Sequence, residues 1–178
     1  MKIAVIQICS GLDPKENIKK INFYIKEAKK KNEIEAVFLP EVFYSMSNGK
    51  EPTPYLVENE NEHYLAIQNI AKENSVYLLG GSAATKVGDE VRNRVYNFSP
   101  EGKLLNYYDK IHLFSVNLKG KTKSTVINES DVYSKGSELV DFKLNGLHFG
   151  MTVCFDLRFP ELFREYFKRG VNIFSVSS

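Results

Sequence analysis

The chain has 178 residues, 43% of them hydrophobic and 26% charged, and a formal net charge of +2. This length and composition indicate one globular domain with a sizeable core and exclude a disordered segment. The small net charge predicts no nucleic-acid partner, and the absence of a long apolar run predicts no membrane association.

The cysteines and histidines are few. Cys9 and Cys154 do not make a disulfide framework, and the first eight residues are too short and too strand-like for a signal peptide. A reducing compartment fits, so we expect a cytoplasmic protein. With three histidines and no Cys-x-x-Cys pair, we expect neither a metal site nor a cofactor.

The first half of the chain alternates strands with amphipathic helices. Apolar or β-branched runs predict three buried strands, at residues 2–8, 36–39 and 76–79. Asp13-Pro14 supplies an N-cap and a first-turn proline for a helix that runs to about residue 31. Apolar residues at helical spacing predict a second helix over residues 61–74.

The second half begins with hairpins and ends in a strand–helix–strand unit. Turn signals separate predicted strands at residues 90–99 and 103–110, and at 139–144 and 147–153, where Asn145-Gly146 forms the turn. Residues 111–133 lack periodicity and predict a long ordered loop. A helix over 160–169 and a strand over 171–176 follow. This order predicts a single mixed α/β domain over residues 1–178.

Cys154 lies where a predicted buried strand runs into a helix. A thiol near a helix N-terminus faces unpaired N–H groups, which favour the thiolate. The backbone N–H of Phe155 is then placed to face a developing oxyanion. The alternative is a buried structural cysteine without chemistry.

Two other predicted strands also end at ionisable side chains. Glu41 follows the strand over 36–39, and Lys110 closes the strand over 103–110. Ligand sites in open α/β sheets lie at such ends. A carboxylate base, an ammonium and a thiol suffice for acyl transfer. Taken singly, Glu41 fits a surface glutamate and Lys110 a snorkelling lysine. A Cys–His dyad using His112 is a rival arrangement.

Three segments carry these residues: LPE at 39–41, YDKIHLF at 108–114 and VCFDLRFPEL at 153–162. With them the chain resembles the nitrilase superfamily, the carbon–nitrogen hydrolases, and is most similar to its Nit1/Nit2 amidase branch. The resemblance implies a four-layer αββα sandwich that is homo-oligomeric when complete. It also implies hydrolysis of a small-molecule amide, such as an ω-amide of a dicarboxylate, through a cysteine thioester that releases ammonia.

The resemblance implies a role for each candidate residue. It makes Glu41 the general base, Lys110 the oxyanion stabiliser and Cys154 the nucleophile. The second glutamate of the family matches Glu129, in the segment INES at 127–130. Arg158 is expected to hold a substrate carboxylate bidentately. The alternative for Arg158 is a structural ion pair with Asp156 or Glu161.

Members of this family are longer than the chain. The resemblance therefore implies that the C-terminal third of the sandwich is missing, which leaves sheet edges unpaired and apolar faces uncovered. Two alternatives to an active enzyme follow from this expectation. The chain is then an inactive remnant, or one half of a split enzyme completed by another polypeptide.

Overall fold

The structure is a computed structural model that describes residues 1–119 and 124–178. Within these ranges the α-helices are α1 (Pro14–Lys31), α2 (Glu62–Asn74) and α3 (Pro160–Lys168). The Asp13 side chain accepts the Lys15 N–H at 2.8 Å at the start of α1, and Asn61 accepts the Tyr64 N–H at 2.9 Å at the start of α2. These caps satisfy N–H groups that the first helical turn leaves without partners, and both helices are confirmed.

The strands of the described residues are β1 (Ile3–Val5), β2 (Ala36–Leu39), β3 (Tyr77–Gly80), β4 (Ser82–Val87), β5 (Glu90–Phe98), β6 (Leu104–Asp109), β7 (Ser115–Lys119), β8 (Ser124–Asn128), β9 (Asp141–Leu144), β10 (Leu147–Val153) and β11 (Ile173–Ser177). Strand β4 was not predicted. The two glycines were expected only to end the strand before them. Instead the chain turns at Gly80 and Gly81, whose φ angles are +63° and +71°, and continues as β4.

The prediction of a loop over residues 111–133 is wrong at residues 115–119 and 124–128. Strands β7 and β8 pair antiparallel there, with Ser115 opposite Asn128. The sequence of these two strands does not alternate clearly between apolar and polar residues. Short strands outside the main sheets need no continuous apolar face, so this signal is absent. Residues 120–123 of the predicted loop lie outside the described residues.

Two larger sheets build the domain. In the first, β1, β2 and β3 run parallel in that order, and β5 joins them antiparallel with β4 and β6 beside it. In the second, β10 pairs parallel with β11 and antiparallel with β9. The carboxyl ends of β2 and β10 therefore belong to different sheets.

Apolar side chains join the elements into four layers. Ile21 of α1 and Ile67 of α2 pack with Leu78 of β3 on the outer side of the first sheet. Tyr108 of β6 packs with Met151 of β10 between the two sheets. On the outer side of the second sheet, α3 packs through a cluster formed by Leu162, Tyr166 and Val171. The predicted αββα arrangement is confirmed for the described residues.

The outer strands of the two sheets carry exposed apolar side chains. Val5 of β1 is 76% exposed and Phe174 of β11 is 37% exposed. Both line an open groove of about 460 Å³ that also touches Phe38 and Phe149. No helix formed by residues 1–119 and 124–178 is long and apolar enough to cross a membrane.

Candidate active site

Three side chains that follow the ends of separate strands meet at one place. Glu41 follows β2, Lys110 follows β6 and Cys154 follows β10. Nζ of Lys110 lies 2.8 Å from Oε1 of Glu41, and the Glu41 carboxylate lies close enough to the Cys154 thiol to raise the pKa of that thiol. The structure therefore brings the predicted carboxylate, ammonium and thiol together where the two sheets meet.

Lys110 is a buried cation held by two carboxylates. Its side chain is 1% exposed, and Nζ donates to Oε1 of Glu41 and to Oε2 of Glu129, each at 2.8 Å. Burial favours the neutral amine, but the charges and hydrogen bonds of Glu41 and Glu129 outweigh it and raise the pKa of Lys110. Lys110 therefore stays an ammonium at neutral pH. Asp109, its neighbour in sequence, instead binds Arg94 bidentately.

The turn that carries Glu41 is strained and is held by β4. Val42 has a φ of +48°, in the left-handed region that β-branched residues avoid. The Val42 N–H donates to Oγ of Ser82 at 2.9 Å, and the Phe43 N–H donates to the Ser82 carbonyl at 3.0 Å. The unpredicted strand β4 thus fixes the direction of the Glu41 side chain.

Glu129 uses both carboxylate oxygens within the site. It begins a short 3₁₀ helix, Glu129–Asp131, directly after β8. Oε2 accepts the Phe114 N–H at 2.7 Å in addition to Lys110, and Oε1 accepts the side-chain amide of Asn93 at 3.0 Å. The glutamate matched by resemblance is therefore placed beside Lys110.

Sequence reasoning missed two residues of the site. Asn93 of β5 is 1% exposed, and its amide nitrogen contacts Oε1 of Glu41 at 2.9 Å and Oε1 of Glu129 at 3.0 Å. Tyr133 lies close enough for both carboxylates to act on it: burial and the negative charges of Glu129 and Glu41 raise the pKa of Tyr133. A strand asparagine carries no signal of its own, because its partners are set by the pairing of distant segments.

Cys154 has a backbone conformation that is unusual for a residue with a side chain. Its φ is +44°, and such strained conformations cost on the order of 1–3 kcal/mol and cluster at functional sites. The residue follows β10 directly and begins a 3₁₀ helix, Cys154–Arg158, before α3 starts at Pro160. The sharp turn presents the thiol to Glu41 and Lys110.

The expectation that the helix N-terminus favours the thiolate is wrong. Burial, the charge of Glu41 and a hydrogen bond to Glu41 together raise the pKa of Cys154 from 9.0 to about 11, although the charge of Lys110 opposes them. The helix α3 begins only at Pro160, so Cys154 does not lie in its first turn. The free thiol is therefore protonated at neutral pH, and it needs a base when it attacks.

This protonation state gives a titration prediction. In a Cys9→Ser chain, we expect the ultraviolet absorbance of the Cys154 thiolate to appear with a midpoint at about pH 11. A Glu41→Gln substitution removes a neighbouring negative charge, so the midpoint should move to lower pH. The absorbance of the same chain with Cys154→Ala is subtracted, which removes the contribution of the tyrosines. A midpoint at or below 9.0, the ordinary value, would contradict the described environment.

Asp156 is the anchor of the Cys154 turn. It is fully buried and accepts the Tyr108 hydroxyl at 2.7 Å and the Val153 N–H at 2.9 Å. It also accepts the backbone N–H of His112 at 2.9 Å and contacts Nδ1 of the same residue at 2.8 Å. Asp156 therefore ties β6 and the segment after it to the end of β10.

The histidines have partners other than the thiol. The His112 ring binds Asp156 and stacks on Phe159 with ring centroids 3.6 Å apart. The other two rings contact tyrosine and aspartate partners, His63 with Tyr44 at 2.9 Å and His148 with Asp141 at 2.7 Å. The structure thus gives no support to the rival Cys–His dyad.

Replacing the anchor should destabilise the fold. We expect Asp156→Asn to lower the free energy of unfolding by about 3 kcal/mol, because buried donors lose a charged acceptor. Urea unfolding followed by circular dichroism measures it. The control is Asp141→Asn, at a partly exposed aspartate bound to His148 and Arg169, which should cost less than about 1 kcal/mol. Equal losses would contradict the anchoring role.

The remaining candidates lie beside the Cys154 turn. Phe155 is the second residue of the 3₁₀ helix, and its ring contacts Phe114 with centroids 5.3 Å apart. Arg158 is exposed at the end of the same helix. Among the described residues it forms no ion pair with Asp156 or Glu161, so the structural alternative for Arg158 is not seen. In residues 1–119 and 124–178 no His, Cys, Asp and Glu side chains are grouped to hold a metal ion.

Comparisons with known proteins place the chain in a family. The family model described as carbon–nitrogen hydrolase matches residues 2–178. Omega-amidase NIT2 from Homo sapiens is 31% identical over 172 residues, which cover 97% of this chain and 61% of that protein. The 2-oxoglutaramate amidase from Bacillus subtilis is 30% identical over 168 residues, which cover 93% of this chain and 59% of that protein.

A solved structure gives the same result. Nit3 from Saccharomyces cerevisiae, a member of branch 10 of the nitrilase superfamily, superposes with a TM-score of 0.81 at 25% identity and covers 100% of this chain and 64% of its own. The chain spans about three fifths of the length of the two curated amidases. It belongs to the carbon–nitrogen hydrolase family, the nitrilase superfamily, within the Nit1/Nit2 branch.

Proposed function

We propose that this domain, residues 1–178, hydrolyses the amide of a small carboxylic acid and releases ammonia through a thioester on Cys154. The observation that carries the proposal is a buried ammonium bound to the Glu41 carboxylate, with the Cys154 thiol near enough for both charges to act on its pKa. The amidase names of the similar proteins support the choice of an amide as the substrate.

The first step makes the thioester. As Sγ of Cys154 attacks the amide carbon, the carboxylate of Glu41 takes the thiol proton and the carbonyl oxygen becomes an oxyanion. The ammonium of Lys110 and the backbone N–H of Phe155 stabilise this oxyanion. The carbon–nitrogen bond then breaks, and protonated Glu41 gives its proton to the leaving nitrogen, which departs as ammonia.

The second step returns the enzyme to its starting state. Glu41, again a carboxylate, takes a proton from water as the water oxygen attacks the thioester carbon. The same two donors stabilise the second oxyanion, and the carbon–sulfur bond breaks. The sulfur recovers a proton from Glu41, and the carboxylic acid leaves. Every proton is carried by the chain's own groups and water.

Glu129 holds Lys110 in place for both steps. Glu129 accepts hydrogen bonds from Lys110, Phe114 and Asn93, so three donors fix its carboxylate in place and stabilise its charged form. We therefore assign Glu129 to fixing the ammonium rather than to proton transfer. The remaining N–H of Lys110 is then available to the oxyanion.

The proposed substrate is an ω-amide of a dicarboxylate. Similar proteins carry the names omega-amidase and 2-oxoglutaramate amidase. Arg158, exposed at the end of the 3₁₀ helix that Cys154 begins, supplies a cation for the second carboxylate. We further propose a homo-oligomeric, cytoplasmic enzyme. An inactive remnant or a half-enzyme is less favoured, because Glu41, Lys110 and Cys154 are assembled within this chain.

The test is ammonia release from a panel of small amides. Succinamate, glutaramate and 2-oxoglutaramate carry the second carboxylate, and propionamide and butyramide are matched neutral amides. We expect turnover of the acids and a lower KM than for the neutral amides. Turnover of neutral amides alone would refute the Arg158 assignment. Release from none of them by the cooperatively folded chain would favour the inactive or split alternatives.

A further inference from the structure

We propose that Asn93 is a positioning residue that selects which oxygen of Glu41 acts as the base. The proposal rests on the proposed function of Glu41, and it adds a residue that the sequence motifs do not contain. Asn93 is on β5, whose backbone accepts the Lys110 N–H at 3.0 Å. The same strand residue therefore binds Lys110 through its backbone and both glutamates through its side chain.

The hydrogen bonds of Asn93 leave one oxygen of Glu41 for the thiol. An amide nitrogen has two N–H donors, and Asn93 directs them to Oε1 of Glu41 at 2.9 Å and Oε1 of Glu129 at 3.0 Å. Oε1 of Glu41 also accepts Lys110 at 2.8 Å. With two donors on Oε1, the other oxygen, Oε2, is the one that the Cys154 thiol can use as base.

The orientation of the amide is forced by its surroundings. If the amide were flipped, its oxygen would face two carboxylate oxygens, which are acceptors only. In the observed orientation Oδ1 is buried without a hydrogen-bond partner among the described residues. A buried acceptor without a partner is destabilising. The cost is accepted at this position because the same orientation lets both amide N–H groups bind the carboxylates.

Charge explains why an amide suits this position. The cluster already holds two carboxylates around the ammonium of Lys110. A third acid would add repulsion, and a second cation would bind the carboxylate more tightly and weaken it as a base. The amide supplies donors without adding charge, so it orients Glu41 and leaves its basicity for proton transfer.

Asn93→Leu tests the proposal, because leucine keeps the branched shape and donates nothing. The matched control is Asn97→Leu on the same strand, where Asn97 is equally buried and binds Gly80 and Asn106. We expect Asn93→Leu to lower kcat about 10- to 100-fold with little change in KM, as a misplaced reacting group does. The acidic limb of kcat/KM should also move to higher pH, because the carboxylate loses a donor that favours its charged form.

A second measurement does not depend on amide turnover. In a Cys9→Ser chain, alkylation of Cys154 by iodoacetamide at neutral pH also requires loss of the thiol proton. We expect Asn93→Leu to slow it about tenfold, and Asn97→Leu to leave it unchanged once the folded fraction is counted. Above the ionisation of the thiol, near pH 11, the rates should converge.

The outcomes separate the two proposals. Slower alkylation in Asn93→Leu without amide turnover in the parent chain would support the positioning role and refute the proposed substrate. Equal kcat, equal alkylation and an unshifted acidic limb in Asn93→Leu and Asn97→Leu would overturn the inference. If Asn93→Leu does not fold, Asn93→Ala and Asn97→Ala are compared in the same two assays.

Discussion

Replacing Cys154 with alanine should abolish amide hydrolysis. We expect kcat to fall by at least about 10⁴-fold, because the substrate loses its nucleophile and water must attack an unactivated amide. The stability should change little, because Cys154 is only half-buried and alanine keeps the Cβ that makes its φ of +44° strained. Ammonia release and urea unfolding measure the two effects.

Cys9 provides the control for that substitution. It is exposed and free, so Cys9→Ser should retain full turnover. If Cys154→Ala kept activity close to that of the parent chain, Cys154 would be a buried structural cysteine without chemistry. Loss of activity in Cys9→Ser would instead point to chemistry elsewhere in the chain.

Replacing Lys110 with methionine should damage both activity and stability. Removing an oxyanion donor costs about 10²–10³-fold in kcat. Removing the only described cation between Glu41 and Glu129 leaves buried carboxylates uncompensated, and breaking such a pair costs about 3–5 kcal/mol. Ammonia release by the Lys110→Met chain measures the change in kcat, and its urea unfolding measures the change in stability.

A double variant separates the two roles of Lys110. Adding Glu129→Gln to Lys110→Met removes one of the uncompensated charges, so we expect stability to recover in part while activity stays low. The surface control is Lys19→Met, whose side chain is 77% exposed and lies 3.9 Å from Glu16. It should change neither property measurably. Recovery of activity in the double variant would exclude Lys110 from oxyanion stabilisation.

Local signals made the helices and the strand ends predictable. Asp13-Pro14 predicted α1 through the chemistry of a helix N-terminus, and Asn145-Gly146 predicted the hairpin of β9 and β10 through its turn. Glu41, Lys110 and Cys154 could be singled out because each follows a buried strand. Their contact followed from the tendency of strand ends in α/β folds to share a ligand site.

Features that depend on distant packing were not predictable. Asn93 is 52 positions from Glu41 in the chain and meets it only through the pairing of β5 within the sheet. The pKa of Cys154 was expected to fall, from a local argument about helix ends, but burial and the Glu41 charge raise it to about 11. The contact of Asn93 with Glu41 and the raised pKa of Cys154 both depend on residues that only the tertiary fold brings together.

The most direct test of the account is to trap the acyl group on Cys154. The chain is mixed with an amide that it hydrolyses, and the reaction is quenched in acid during steady state. After digestion, the mass of the peptide that contains Cys154 is measured. We expect this peptide to carry the mass of the acyl group, and hydroxylamine added before the quench to release it as a hydroxamate. Turnover with an unmodified Cys154 peptide, or with an acyl group on another residue, would contradict the thioester mechanism.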